Sequence, residues 1–184
     1  MLPVKDNSYL LVEQECTTEN PYVFEPALGQ CIADGLLIEA IIGHSKQNSP
    51  DFLPLRDASG HLPHHFWPNS IFNVSIPISE INHFVCKLRS LLQPHWPEVK
   101  MIVFGHAADG NTHTGVQVGE TPSPLQAIDQ MVYTVVGNFN GLFSAEHGIG
   151  TLKKAYLGHS RSAAEIAQMR ALKTMFDPAG LLNR

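Results

Sequence analysis

Residues 99–118 read VKMIVFGHAADGNTHTGVQV, two apolar runs joined by a short polar segment. Both runs are rich in β-branched and aromatic residues, so each predicts a strand. The Asp109-Gly110 pair between them is typical of a two-residue hairpin turn. With that turn, His106 faces His113 directly across the strands, with β-carbons about 5 Å apart. Two imidazoles at this separation can share a metal ion; two surface histidines beside a turn are the alternative interpretation.

The other elements follow from apolar periodicity and from helix-capping residues. The predicted strands cover about 8–15, 38–42, 72–76, 99–104 and 112–118. Two predicted helices cover about 22–36 and 44–58. Three more begin after the capping residues Ser79, Ser123 and Ser162. The last helix is expected to bury Ile166, Met169, Leu172 and Phe176 and to end at Asp177-Pro178. This order predicts an α+β domain: a largely antiparallel β-sheet covered by helices, with ferredoxin-like β-α-β units and C-terminal helices.

Composition indicates a soluble globular protein, because 43% of the 184 residues are hydrophobic and only 16% are charged. The net charge of -5, without a cluster of Lys or Arg, argues against nucleic acid as a partner. Three cysteines without close spacing predict neither a disulfide framework nor a cysteine metal site. We find no apolar run of the ~18 residues that a transmembrane helix needs and no signal-peptide pattern, so we expect a cytoplasmic protein.

A second segment, residues 143–150, reads FSAEHGIG and places Glu146 beside His147. In an extended backbone these side chains point to opposite faces, which predicts different roles for them. Glu146 would complete a set of two histidines and one carboxylate that suits Zn²⁺, Mn²⁺ or Fe²⁺. His147 would act as a general base near neutral pH. A Glu-His pair without function is the alternative, since such pairs are common. The segment lacks the third glycine of a dinucleotide-binding motif.

Four patterns in the chain carry a specific resemblance. They are GHxxDGNxH over 105–113, SAEHGIGxxKxxYL over 144–157, MFDPxGxLN over 175–183 and LRD over 55–57, where the family has LRE. In this order they resemble the C-terminal domain of FAD-linked 2-hydroxyacid dehydrogenases and oxidases. That group includes cytochrome-type D-lactate dehydrogenase, D-2-hydroxyglutarate dehydrogenase and the glycolate oxidase flavin subunit. The resemblance covers nearly the whole chain.

The resemblance implies that residues 1–184 form a substrate or cap domain, which packs on an FAD-binding domain in cis or in trans. It implies a small 2-hydroxy acid as substrate, with hydride transfer to the flavin. The implied site residues are His106, His113 and Glu146 as ligands of Zn or Mn, His147 as the base, Arg56 and Asn111 as substrate contacts, and Lys153 as a cofactor contact. Electron-acceptor partners would bring such a protein to the periphery of a membrane.

The chain departs from the family pattern at four further positions. Ile71 and Asn73 stand where the family has Lys and Asp, and Ala108 and Gly115 stand where it has Gly and Asn. These departures concern the substrate shell rather than the predicted metal ligands. Two other functions therefore stay open. One is an independent metal-dependent hydrolase that works without flavin, and the other is a non-catalytic remnant that folds and binds metal.

Overall fold

The computed structural model describes residues 8–13, 24–43, 54, 56–61, 66, 70–119 and 124–183. The chain divides into two compact units, residues 1–62 and 63–184. In the first unit, helix α1 spans Phe24–Ala33, which confirms the helix predicted for 22–36. A turn of 3-10 helix spans Ala58–His61. The helix predicted for 44–58 lies largely outside the described residues.

Within the described residues, the two strands predicted for the first unit are wrong. Residues 8–13 and 38–42 have no strand structure, and Leu10 and Ile38 are 72% and 77% exposed. A strand needs a neighbour for its backbone hydrogen bonds and a face that is buried. An apolar run alone specifies neither of them.

The second unit contains a three-stranded antiparallel sheet in the order β1-β3-β2. The strands are β1 (Ser70–Ser75), β2 (Lys100–His106) and β3 (Asn111–Gln117). Because β1 and β2 are both antiparallel to β3, they run parallel to each other. Helix α2 (Ile81–Leu92) connects them, which makes one split β-α-β unit.

Leu142 forms an isolated antiparallel bridge with Ser75 on the other side of β1. A ferredoxin-like sheet would have its fourth strand at this position. The α+β class and the antiparallel sheet are therefore confirmed. The repeated β-α-β units are not, because within the described residues the fourth strand is reduced to this bridge.

Helices α2 and α3 (Leu125–Asn138) cover one face of the sheet. The core that they bury comprises Phe72, Val74, Val116, Phe84, Leu88, Leu92, Ile128, Val132 and Val135, with smaller contributions from neighbouring residues. The apolar stripes predicted for both helices are confirmed, except that Leu125 is 49% exposed. Alternation along the strands directs the intervening side chains, polar and apolar, to the opposite face.

The predicted helix caps have mixed outcomes. Ser162 forms the predicted capping box with Glu165. The Glu165 carboxylate accepts hydrogen bonds from the backbone N–H and the hydroxyl of Ser162, which lower the pKa of Glu165. Ser79 is not a cap, because a 3-10 turn at Ile78–Glu80 precedes α2 and makes Glu80 the N-cap residue. Ser123 lies outside the described residues.

Helix α4 (Ala163–Phe176) begins after this capping box and ends before Asp177-Pro178, as predicted. Its predicted inward face is wrong, since α4 has no buried residue and Leu172 and Phe176 are 55% and 77% exposed. Apolar spacing predicts which side of a helix is suited to burial, but not which surface covers it. Across the ranges that the structure describes, no helix is long and apolar enough to cross a membrane.

Asp177 ties the last residues of the chain to the end of α4. Its carboxylate pairs with Lys173 Nζ and accepts hydrogen bonds from the backbone N–H groups of Leu181 and Leu182, each at 2.9 Å. These interactions, led by the hydrogen bond from Lys173, lower the pKa of Asp177 from 3.8 to about 2. The ionised carboxylate is therefore favoured in the folded chain.

A carboxyl group whose pKa is lowered by folding stabilises the protein above its unfolded pKa and loses this effect as the pH falls through its folded pKa. We expect Asp177→Asn to lower the Tm near neutral pH, with a difference that shrinks between about pH 4 and pH 2. Thermal unfolding against pH measures this, with the exposed Glu98→Gln as control. A difference that is independent of pH would contradict the assigned cause.

Candidate active site

The hairpin between β2 and β3 differs in register from the predicted one. The turn has four residues, 107–110, rather than two. His113 therefore pairs with Phe104, and His106 pairs with Asn111. The prediction that His106 faces His113 directly is wrong. The register is shifted by two residues, and side chains alternate between the two faces of a strand. Both histidines therefore stay on the same face of the sheet, where they are diagonal neighbours.

Contacts outside the hairpin hold the longer turn. Gly110 has a left-handed φ of 70°, and a β-carbon there would lie only 2.4 Å from the backbone oxygen of Ile76. The Gly110 oxygen accepts a hydrogen bond of 3.0 Å from the Ile76 N–H. The Asp109 carboxylate accepts one of 2.9 Å from the Asn111 N–H. The two-residue turn was predicted from Asp109 and Gly110 alone, and that prediction does not take the contact with Ile76 into account.

The sheet face opposite α2 and α3 carries three rows of residues, one residue from each strand in register. The polar row is Ser75, Asn111 and His106. The histidine row is Asn73, His113 and Phe104. The apolar row is Ile71, Gly115 and Ile102. In the histidine row, the rings of Phe104 and His113 stack with centroids 5.0 Å apart.

The loop after α3 is anchored to β1. Leu142 exchanges two backbone hydrogen bonds with Ser75, of 2.8 and 2.9 Å. Further along, Asn73 Oδ1 accepts hydrogen bonds from the backbone N–H groups of Ala145 at 3.0 Å and Glu146 at 2.8 Å. The side chain of Asn73 thus satisfies two donors at the point where the loop leaves the backbone ladder.

An aromatic cluster on α3 holds both ends of the same loop. Tyr133 is buried, and its ring contacts Phe143 and Tyr156 with centroids 5.7 and 4.6 Å apart. Burial raises the pKa of Tyr133. Inside the loop, Lys153 Nζ donates to Ser144 Oγ at 3.4 Å, and burial lowers the pKa of Lys153. The loop that carries Glu146 is therefore fixed from several directions.

Asn73 also begins a chain of side-chain amides. Its Oδ1 faces two N–H donors, so its Nδ2 is the atom that donates to Asn111 Oδ1 at 3.0 Å. Asn111 Nδ2 in turn donates to Glu146 Oε1. Both asparagines are buried, at 4% and 5% exposure. This chain of amides engages one carboxylate oxygen of Glu146 and fixes the direction of the other.

The second oxygen, Glu146 Oε2, lies 3.9 Å from His113 Nε2 and 3.7 Å from His147 Nε2. The backbone around Glu146 forms bends rather than a strand. The prediction that Glu146 and His147 point to opposite faces is therefore wrong, because their side chains converge. Burial lowers the pKa of His113; Glu146 raises it, and His147 and His106 lower it.

The predicted metal site is only partly assembled. Metal–ligand distances of about 2.0–2.2 Å place two ligands of a tetrahedral site roughly 3.4 Å apart, close to the 3.9 Å between His113 and Glu146. However, within the described ranges no group of three His, Cys, Asp or Glu side chains is arranged to hold a metal ion. The longer turn moves His106 one row away from His113. We therefore assign no reaction step to a metal.

The remaining predicted site residues stay predictions. Arg56 belongs to the first unit and is exposed. Lys153 contacts Ser144 within the loop, and Asn111 contacts Asn73 and Glu146. From the sequence, Asn73 was noted only as a departure from the family. The sequence shows Asn73 as a single amide in a strand that is otherwise largely apolar. This pattern does not predict that Asn73 contacts Asn111 and the loop of Glu146.

Comparison with known proteins places this architecture in a family. The family model described as "FAD linked oxidases, C-terminal domain" matches residues 1–184. The chain therefore belongs to the C-terminal domains of FAD-linked oxidases. Within these it belongs with the domains of the D-2-hydroxyglutarate and D-lactate dehydrogenases, as the similar proteins indicate.

Three similar proteins illustrate the relationship. A D-2-hydroxyglutarate dehydrogenase of Stutzerimonas stutzeri is 31% identical over 184 residues, 95% of this chain and 39% of that protein. A D-2-hydroxyglutarate dehydrogenase of Xanthomonas citri pv. viticola is 34% identical over 163 residues, 85% of this chain and 34% of that protein. A Schizosaccharomyces pombe protein whose name includes the words D-lactate dehydrogenase is 32% identical over 120 residues, 60% of this chain and 23% of that protein. The chain thus spans about two fifths of the first relative.

Proposed function

We propose that this chain is the substrate-binding domain of an FAD-dependent oxidoreductase that oxidises a 2-hydroxy acid to a 2-oxo acid. The observation that carries the proposal is the convergence of His113, Glu146 and His147 on one sheet face. FAD, when bound, accepts the hydride from the α-carbon of the substrate. An FAD-binding domain, in cis or in trans, supplies it, in keeping with the 39% of the relative that the chain spans.

In this proposal His147 is the base that removes the hydroxyl proton. Its side chain is 71% exposed, so a substrate can reach the ring, and Nε2 lies 3.7 Å from Glu146 Oε2. A carboxylate beside an imidazole orients the ring and stabilises the cation that forms when the ring takes a proton. Asn111 acts through Glu146, because its amide engages the other carboxylate oxygen.

Arg56 and Lys153 have binding roles in the proposal. A guanidinium binds a carboxylate through two parallel hydrogen bonds, which suits Arg56 to the acid group that all 2-hydroxy acids share. Lys153 contributes a positive charge toward the cofactor from the loop of Glu146. Its hydrogen bond to Ser144 supports this role, since it holds the ammonium group against that loop.

Removal of FAD tests the proposed function. The protein that unites this chain with its FAD-binding domain should produce one 2-oxo acid for each hydride accepted. Stripping the flavin should abolish turnover, and adding FAD should restore it. Turnover that persists without flavin would contradict the proposal and would favour the hydrolase.

A divalent metal, Zn or Mn, at His106, His113 and Glu146 is a further part of the proposal. The donor set supports it, because two imidazoles and one carboxylate on one face suit either ion. The proposal requires the exposed His106 side chain to turn toward Glu146 on metal binding.

We expect His106→Ala and Glu146→Ala each to weaken zinc or manganese binding by at least about tenfold, since each change removes a ligand. Metal content after loading and dialysis measures this. His83→Ala is the control, because His83 is exposed on α2 at 72% and belongs to no predicted site. Equal metal content in the wild type and all three variants would refute the proposed ligands.

A further inference from the structure

The orientation of the Asn73 amide determines which of its atoms faces His113. Asn73 Oδ1 accepts hydrogen bonds from the backbone N–H groups of Ala145 and Glu146, at 3.0 and 2.8 Å. Because a backbone N–H group can only donate, these two bonds require the amide oxygen on that side and the nitrogen on the other. Asn73 Nδ2 therefore lies 3.5 Å from His113 Nδ1, and 3.0 Å from the side-chain oxygen of Asn111.

The contact with Asn73 distinguishes the two neutral forms of the His113 ring. An amide nitrogen carries two hydrogens and no acceptor site, so one hydrogen points to Asn111 and the other to His113 Nδ1. A proton on Nδ1 would set two donors against each other and leave the second hydrogen of a buried amide without an acceptor, which is unfavourable. The favoured form has a lone pair on Nδ1 and the proton on Nε2.

The other side of the ring favours the same form. His113 Nε2 lies 3.9 Å from Glu146 Oε2. This distance is longer than a direct hydrogen bond, but the negative charge of a carboxylate still favours the proton on the ring nitrogen that is nearer to it. The ring of Phe104 stacks on His113 with an angle of 13° between the two planes, which holds the ring in the plane where Nδ1 meets Asn73.

A histidine that binds metal needs the opposite form. A divalent ion binds the lone pair of one ring nitrogen, and the other nitrogen keeps its proton and donates it to a carboxylate, a carbonyl or water. For His113 to bind through Nε2, the proton must move from Nε2 to Nδ1, where Asn73 presents a donor. The ring is neutral before and after this change, since only the position of its proton differs.

We infer that Asn73 holds neutral His113 with its proton on Nε2, and that it thereby opposes the binding of a divalent metal through this nitrogen. His113 then directs an N–H group toward Glu146, the carboxylate that lies beside His147. The effect on metal binding rests on the proposed function, in which His113 is a ligand. The position of the proton does not depend on it.

Long-range proton–nitrogen NMR of the full chain, with isotope-labelled histidine, measures the position of the proton. The two neutral forms differ in their nitrogen shifts and couplings, and His113→Gln identifies the signals of His113. At alkaline pH, where imidazole rings are neutral, we expect Nε2–H as the main form in the wild type. Asn73→Asp should reverse this, because a carboxylate oxygen accepts from Nδ1–H. Nδ1–H as the main form in the wild type, or an equal mixture, would overturn the inference.

The affinity for Zn²⁺, measured by competition with a coloured chelator, tests the effect on metal binding. Ile71→Asp is the matched control for added charge, because Ile71 lies on the same strand and face as Asn73, in the neighbouring apolar row, and is 47% exposed. We expect Asn73→Asp to bind Zn²⁺ at least about tenfold more tightly than Ile71→Asp, the scale that the partner of a metal-bound histidine contributes. Equal affinities in these two variants would overturn the inference.

Two further variants complete the test. Asn73→Ala removes the amide donor without adding charge, so its His113 should show more of the Nδ1–H form than the wild type. An unchanged position of the proton would count against Asn73 as its cause. If His113→Gln leaves the Zn²⁺ affinity unchanged, alone and combined with Asn73→Asp, His113 is not a ligand and the effect on metal binding is refuted. The reduction of FAD by a 2-hydroxy acid tests the proposed function separately.

Discussion

Replacing His147 by asparagine should slow the reduction of bound FAD by a 2-hydroxy acid by about 10²–10⁴-fold, the contribution typical of a general base. The ring is exposed beside Glu146, so its loss removes the proton acceptor without removing a core contact. Stopped-flow absorbance of the flavin measures the rate.

The chain provides a closely matched control for His147. His83 lies 3.3 Å from Glu80, with side-chain exposures of 72% and 42%. His147 and Glu146 are 71% and 43% exposed. His83→Asn therefore removes an equivalent exposed imidazole beside a carboxylate, but on α2. Equal rates in His83→Asn and His147→Asn would exclude His147 as the base.

Replacing Asn73 by alanine should lower the free energy of unfolding by about 1–3 kcal/mol, the usual consequence of leaving buried polar groups unpaired. Four groups lose a partner: the N–H groups of Ala145 and Glu146, the side-chain oxygen of Asn111, and His113 Nδ1, which lies 3.5 Å from Asn73 Nδ2. Chemical denaturation measures the stability. Amide hydrogen exchange should accelerate at Ala145 and Glu146. Asn82→Ala, at an exposed position of α2, should change the stability by less than about 0.5 kcal/mol.

Asn73→Asp separates the two tasks of this side chain. Aspartate, the residue of the family pattern here, keeps the oxygens that accept from Ala145 and Glu146 but loses the donor to Asn111. Exchange at the two amides should stay slow. The rate of flavin reduction should fall, because Asn111 no longer has a fixed orientation toward Glu146. If Asn73→Ala left the exchange unchanged, the loop anchor assigned to Asn73 would be wrong.

The fold was predictable from the sequence where local pattern and tertiary burial agree. Alternation in β1 and the stripes on α2 and α3 predicted the sheet and its covered face, because each element buries its apolar side against the same core. The apolar side of α4 was equally regular, yet Phe176 is exposed. The apolar pattern of α4 does not specify which surface covers this helix, and no described residue buries it.

The site was predictable in its residues but not in its geometry. The family pattern picked out His113, Glu146 and His147, and the structure brings them together. The hairpin register depends on the contact between Gly110 and Ile76, which lies outside the turn. The bonds from Asn73 to the loop join residues 72 and 73 positions apart, beyond the reach of any local pattern.

The central claim is that this chain presents a 2-hydroxy acid to FAD. The most direct test is to mix the FAD-containing protein with a D-2-hydroxy acid in the absence of oxygen and to record the visible absorption of the flavin. We predict that the absorption of oxidised FAD disappears and that 2-oxo acid forms in equal amount. FAD that stays oxidised with every 2-hydroxy acid offered, while the acid remains unchanged, would contradict the claim.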